Sequence, residues 1–327
     1  MSASLRAVCL VLAVWGVADF PPAVGAEPAA GSAPAAGPVK LTGGKNAKFP
    51  PFMPGATSEV YKKVGDTELA LYIYQPADQK PADRRPAIVF FFGGGWNAGS
   101  AAQFEYQSRY LAARGMVAIS ADYRVRTRNK SQAVDAVRDA KSAMRYVRTH
   151  AARLGIDAER IAAGGGSAGG HLAACTALLR DFDEPGEDAA ISSVPSALVL
   201  FNPAVSLAPK PGQELTEAMT QEWMERLGVE PQKISPAAHV RKGLPPTLIL
   251  IGTDDGMFAS NQEFVKQMVA AGNRAELEAY PDMPHGFFNI GKQKDSAMFR
   301  ATLERADRFL ASLGYLSGEP TVATFFE

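Results

Sequence analysis

Cysteine, net charge and histidine are scarce in this sequence, and each scarcity narrows what the chain can be. Only two cysteines occur in 327 residues. Cys9 falls in an N-terminal apolar run, so Cys175 stands alone in the remainder and no intramolecular disulfide is expected there. Cys175 lies in the apolar stretch "HLAACTALL" and reads as a buried, inert thiol. The 34 Lys and Arg balance the 34 Asp and Glu, leaving a formal net charge of zero. That balance gives no electrostatic ground for nucleic acid as a partner. No apolar run reaches the roughly 20 residues a membrane span requires. What remains is a hydrophobic content of 46% and 30 glycines, ordinary values for a globular chain long enough to bury one large core.

The first 26 residues, "MSASLRAVCLVLAVWGVADFPPAVGA", carry one positive charge at Arg6, an apolar run from Ala7 to Ala18, and small residues before Glu27. This is the pattern of a secretory signal peptide cleaved after Ala26, which predicts a secreted or periplasmic protein. Cys9 sits inside the run and not at its end, which argues against a lipoprotein. Residues 27–48 are rich in Ala, Pro and Gly with few large apolar side chains, the composition of a flexible linker. The remainder, 49–327, is expected to form one domain, periodic from residue 58 to about residue 313.

Within that domain strands and helices alternate. "EVYKKV" and "ELALYIYQP" read as an antiparallel strand pair. "PAIVFFF", bounded by Pro86 and Gly93, suits a strand buried on both faces. "MVAISADY", "RIAAGG", "SALVLFNP", "PTLILIGT" and "AELEAYP" are further strands. Helices are expected over "AQFEYQSRYLAARG", "SQAVDAVRDAKSAMRYVRTHAARLG" with Ser131 as cap, "SAGGHLAACTALLR", "ASNQEFVKQMVAAG" and "SAMFRATLERADRFLASLG". Strand followed by helix, repeated, implies an α/β fold: a mostly parallel sheet with helices on both faces.

Residues 163–172, "AGGGSAGGHL", place Ser167 among five glycines between a strand and a helix. The run lacks the Gly-Lys-Ser/Thr ending of a phosphate-binding loop. It fits G-x-S-x-G, in which glycines two before and two after the serine clear the space for a sharp turn. The serine then stands exposed at the carboxyl end of the sheet, over a helix N-terminus.

A serine hydroxyl needs a base, and the base an orienting group. The chain has four histidines. His150 ends a long helix, His171 packs beneath the turn and His239 lies in a loop before a strand, all three structural readings. His285, in "YPDMPHGFFN", follows a strand and belongs at the same end of the sheet as Ser167. Asp254 and Asp255, in "LILIGTDDGMF", also follow a strand, and either could be the carboxylate. The order serine, aspartate, histidine is that of an α/β-hydrolase. "FFFGGGWNAGS" supplies Gly93, Gly94 and Gly95, a loop whose N–H groups, with that of Ala168, can face a developing oxyanion.

On "FGGGW", "GGSAGG", "GTDD" and "HGFFN" the chain resembles the α/β-hydrolases of the esterase and lipase group related to hormone-sensitive lipase and to bacterial carbohydrate esterases, from about residue 59 to 313. The resemblance implies an α/β-hydrolase fold, and it assigns the oxyanion donors to Gly94 and Gly95 and the acid to Asp255. It also implies a serine esterase that needs no metal or organic cofactor. The family usually has histidine where Phe92 stands; phenylalanine can only pack, so the loop must be braced some other way.

Segment 202–245 carries one helix, "ELTEAMTQEWMERLG", a small lid at most. An open site and export suit short-acyl esters, such as acetyl or feruloyl esters of plant polysaccharides, or a small-molecule ester. Trp96, Phe287 and Phe288 either wall the acyl pocket or belong to the core. An amide hydrolase or a lipase with the same triad, and a non-catalytic binding protein on the same fold, are the alternatives.

Overall fold

Alternate residues of the central strand β3 (Arg85–Phe91) feed two separate cores: Ala87, Val89 and Phe91 enter one, Ile88 and Phe90 the other. This is the period-two geometry of a strand covered on both faces. The computed structural model describes residues 39–41, 49–80, 82–208 and 216–326. The expected signal peptide and most of the expected linker lie outside those residues.

β3 belongs to an eight-stranded sheet in the order β1-β2-β4-β3-β5-β6-β7-β8. The other strands are β1 (Thr57–Val64), β2 (Thr67–Tyr74), β4 (Val117–Ala121), β5 (Ile156–Gly166), β6 (Ala197–Phe201), β7 (Thr247–Gly252) and β8 (Ala275–Tyr280). β1 pairs with β2, and β2 with β4, in antiparallel fashion; all other pairs are parallel. The antiparallel pair and the mostly parallel sheet expected from the alternation are both present.

Helices cover both faces. On one side lie α3 (Ala133–Thr149), α4 (Ala168–Leu178) and α6 (Phe258–Ala270), with Met144, Leu172 and Phe264 in the first core. On the other lie α1 (Glu105–Ala113) and α7 (Ala297–Ser312), with Leu111 and Phe309 in the second. Three further helices lie among the described residues, α5 (Glu217–Leu227) and the single turns α2 (Arg126–Asn129) and α8 (Val322–Phe325). All eleven residues of α4 are buried, Cys175 among them. No helix among the described residues is long and apolar enough to cross a membrane.

Three local expectations are corrected. The cap of α3 is Gln132 and not Ser131: Asp135 accepts the Gln132 N–H at 3.0 Å, and the Gln132 side chain accepts in return from the backbone of the same turn, a reciprocal capping box. The helix ends at Thr149, because residues 150–155 must turn back to feed β5. The linker is not free throughout, since the Val39 N–H donates to the Phe325 carbonyl at 2.8 Å and Leu41 packs on the second core.

The strand order reverses at β3. After β3 the chain lays down β4 on one side, then crosses to place β5 on the other. The carboxyl ends of β3 and β5 therefore meet at a switch point, the place where such sheets bind ligands. Phe91 pairs with Gly165 there, so the loop after β3 and the turn after β5 abut.

Candidate active site

Ser167 links β5 to α4 with φ 54° and ψ −118°, a left-handed value that costs a non-glycine residue about 1–3 kcal/mol. The neighbours show why this turn is so tight. A Cβ on Gly169 would overlap the Phe91 and Phe92 carbonyls, and one on Gly165 would meet the Gly169 backbone. The Ser167 N–H donates to the Phe201 carbonyl at 2.9 Å, and the Ser167 carbonyl accepts from His171 at 3.0 Å and Ala204 at 3.3 Å. The hydroxyl is thereby fixed above the N-terminus of α4, where the N–H of Ala168, which meets no acceptor among the described residues, and the positive end of the helix dipole lie.

His285 comes from the loop after β8, and its Nε2 lies 3.0 Å from Ser167 Oγ. Its Nδ1 donates to Asp255 Oδ2 at 2.7 Å. Asp255 sits in the turn after β7; its side chain is 2% exposed, and its second oxygen accepts the Met257 N–H at 2.9 Å. The carboxylate is thus doubly satisfied and cannot swing away from the imidazole. Asp254 points outward and contributes its backbone N–H to the Met283 carbonyl at 3.2 Å. Of the two aspartates open in the sequence, Asp255 is the one that meets His285. Gly252 permits this meeting, because a Cβ there would overlap the Met283 carbonyl.

The loop after β3 runs through Gly94 at φ 123° and Gly95 at φ 62°. The Gly93 N–H is engaged by Gln103 Oε1 at 2.6 Å. The N–H groups of Gly94 and Gly95 meet no acceptor among the described residues, which leaves them available at the site. Their carbonyls are held instead: Gly94 accepts from Asn97 at 3.1 Å, and Gly95 from Arg226 Nη2 at 2.9 Å.

Phe92 packs as its chemistry requires, stacked on Tyr123 with ring centroids 4.0 Å apart. Tyr123 also donates its hydroxyl to the Phe92 carbonyl at 2.7 Å. Burial pushes the Tyr123 phenol well above its ordinary pKa, so it stays a donor. Tyr123, Gln103 and Arg226 are the braces that replace a histidine, and none of the three stood out in the sequence. Tyr123 is the second residue after β4, in "ADYRVR", a position beside the switch point that could have marked it.

Trp96 is buried at φ 58°, with its ring edge-on to His171 at 4.9 Å and the Arg226 guanidinium 5.6 Å above its centroid. Phe288 packs in the second core against Phe201 and Phe104, and Phe287 against Tyr280; both are 1% exposed. His171 is fully buried, donates Nε2–H to the Ile234 carbonyl at 2.6 Å, and has its pKa pulled down by burial to about 4. His150 caps α3, and His239 bonds the Gln232 carbonyl in a short turn before β7. Among the described residues no group of three His, Cys, Asp or Glu side chains is placed to hold a metal.

This arrangement can take a proton from a hydroxyl, hold the resulting imidazolium against a buried carboxylate, and present backbone donors to an oxyanion. A family model for the α/β-hydrolase fold matches residues 88–289, a span that contains Ser167, Asp255 and His285. The chain is 28% identical over 260 residues to the carboxylesterase NlhH of Mycobacterium tuberculosis, covering 76% of this chain and 79% of that one. It is also similar to esterase 2 of Thermogutta terrifontis. The structure of that enzyme phosphorylated by paraoxon matches at 50% identity with a TM-score of 0.77, covering 84% of this chain and all of the other. The same enzyme with butyrate bound matches at 50% identity and a TM-score of 0.79, with 84% of this chain covered.

Proposed function

The chain belongs to the α/β-hydrolase family and is a carboxylic ester hydrolase, and we propose that it cleaves short-acyl esters through Ser167, His285 and Asp255. One observation carries the reading: Ser167 Oγ, His285 Nε2 and Nδ1, and Asp255 Oδ2 stand in hydrogen-bond sequence at 3.0 and 2.7 Å.

Ser167 Oγ attacks the acyl carbonyl carbon as its proton passes to His285 Nε2. Asp255 keeps the imidazole in the tautomer that leaves Nε2 free, and stabilises the imidazolium. The carbonyl oxygen becomes an oxyanion, met by the N–H groups of Gly94, Gly95 and Ala168. Each such donor contributes about 2.7–4 kcal/mol to lowering the barrier. His285 returns the proton to the leaving alkoxide, which departs as the alcohol. Water, deprotonated by the same imidazole, then attacks the acyl carbon; the acyl–Oγ bond breaks, the imidazolium returns the proton to Ser167 Oγ, and the acid leaves.

Two features support a short acyl group. The lid is one helix, α5, tied down on the oxyanion loop by Arg226, and the similar Thermogutta enzyme has been captured with butyrate. Export by residues 1–26 would put the enzyme among acetyl and feruloyl esters of plant polysaccharides, which are the proposed natural class. N-terminal sequencing of protein recovered outside the cytoplasm tests the leader, with Glu27 as the expected first residue.

The central test is intact mass after treatment with a fluorophosphonate. One adduct is expected on the wild type and none on Ser167→Ala. A panel of p-nitrophenyl esters from acetate to decanoate then sets acyl length, with turnover falling beyond butyrate or hexanoate. Failure to form an adduct on folded protein would overturn the reading.

A further inference from the structure

The oxyanion loop and the histidine loop are joined by an unbroken line of amide hydrogen bonds. The Gly93 N–H donates to Gln103 Oε1 at 2.6 Å, and Gln103 Nε2 donates to Asn289 Oδ1 at 2.9 Å. Asn289 Nδ2 donates to the Gly286 carbonyl at 2.9 Å, and the Gly286 N–H donates to Asn202 Oδ1 at 3.2 Å. Asn202 is fully buried at the end of β6, and its own N–H is bonded to the Leu250 carbonyl of β7 at 2.7 Å. The line therefore starts one residue before the oxyanion donors, passes beside His285 and ends in the sheet.

Both carboxamides are used with polarity. Each accepts with its oxygen and donates with its nitrogen, so neither can rotate by half a turn without setting like atoms against each other. Gln103 and Asn289 lie 186 residues apart in sequence, and neither side chain hydrogen-bonds the hydroxyl of Ser167 or the imidazole of His285. Their effect on chemistry would act through the two loops they join.

We propose that Gln103 and Asn289 are positioning residues: their amide bridge sets the oxyanion donors Gly94 and Gly95 in register with His285 Nε2. This rests on the serine-esterase reading above. The physical need is plain, because Gly94 and Gly95 arrive from β3 and His285 from β8, at opposite ends of the strand order after the switch point. Their spacing is set by no strand pairing, and an error of about 1 Å in such a spacing costs roughly a hundredfold in rate.

The test uses Gln103→Met and Asn289→Leu, which keep side-chain volume and remove the hydrogen bonds, together with the double variant. Each single variant is expected to lower kcat about ten- to a hundredfold with KM changed less than about threefold, as loss of an interaction made in the transition state requires. The double variant should be no worse than the poorer single, because both break one bridge. Hydrogen exchange supplies a readout independent of activity: either single variant should speed exchange in both segments 92–99 and 284–291. Unchanged kcat, losses that multiply in the double variant, or loosening confined to the mutated residue's own loop would each overturn the bridge. Should Gln103→Met fail to fold, Gln103→Glu keeps an acceptor for Gly93 while removing the donor to Asn289, and the same exchange pattern is expected. A parent protein that forms no fluorophosphonate adduct would sink the esterase reading alone, and the exchange data would still decide the bridge.

Discussion

Arg226 of the lid helix donates a hydrogen bond to the carbonyl of Gly95, 2.9 Å away, while its guanidinium lies over Trp96. The bond orients the peptide that follows a proposed oxyanion donor, and the cation–π contact adds to the hold of the helix on the loop. Arg226→Ala is expected to lower kcat/KM for p-nitrophenyl acetate about tenfold, less than the loss of a donor itself. Arg226→Lys, which keeps the charge but loses the guanidinium's donor geometry, should fall between the two. Steady-state kinetics on the three proteins decides this, and equal activity would remove Arg226 from the loop's support.

Ser167 stores backbone strain at φ 54°. Glycine adopts that conformation without a Cβ penalty, whereas alanine does not. Both Ser167→Gly and Ser167→Ala should be inactive. The glycine variant should be the more stable of the two by about 1 kcal/mol, after allowance for its larger unfolded-state entropy. Denaturant melts of the pair measure the difference, and equal midpoints would mean that the turn is unstrained.

The two neighbouring aspartates should separate cleanly. Asp255→Asn leaves the shape but favours the wrong imidazole tautomer, and kcat should fall about ten-thousandfold. Asp254→Asn, at an exposed position without a contact to His285, should stay within about threefold of the parent. Comparable losses in both variants would contradict the geometry.

His171 makes stability depend on pH. Burial, partly offset by the Ile234 carbonyl, lowers its native pKa from 6.5 to about 4. The unfolded chain therefore binds a proton between those values that the native state refuses, and stability falls as the pH drops through that window. From pH 7.5 to pH 5 this group alone should cost about 2 kcal/mol. His171→Gln should flatten that slope while lowering stability at neutral pH. Denaturant titrations at the two pH values check both effects, and an unchanged slope would place the acid sensitivity elsewhere.

Local chemistry made much of this molecule legible in its sequence. Continuous short apolar runs bounded by turn residues, such as "PTLILIGT", suit strands covered on both sides, and that run is β7. Five glycines around Ser167 mark a turn with little room for side chains, and chain order with strand ends placed His285 at the same edge. Those signals are local, so a reading along the chain recovers them. Tertiary structure decided what depends on contacts across the chain. It put Asp255, the aspartate the resemblance assigns, and not Asp254 against His285, moved the cap from Ser131 to Gln132, and placed Phe287 and Phe288 in packed interior. It set Tyr123 under Phe92, and it joined Gln103 to Asn289 across 186 residues. Glutamine, asparagine and tyrosine are common and polar, and nothing in their local pattern marks a partner. A hydrogen bond between two of them is a property of the folded distance alone.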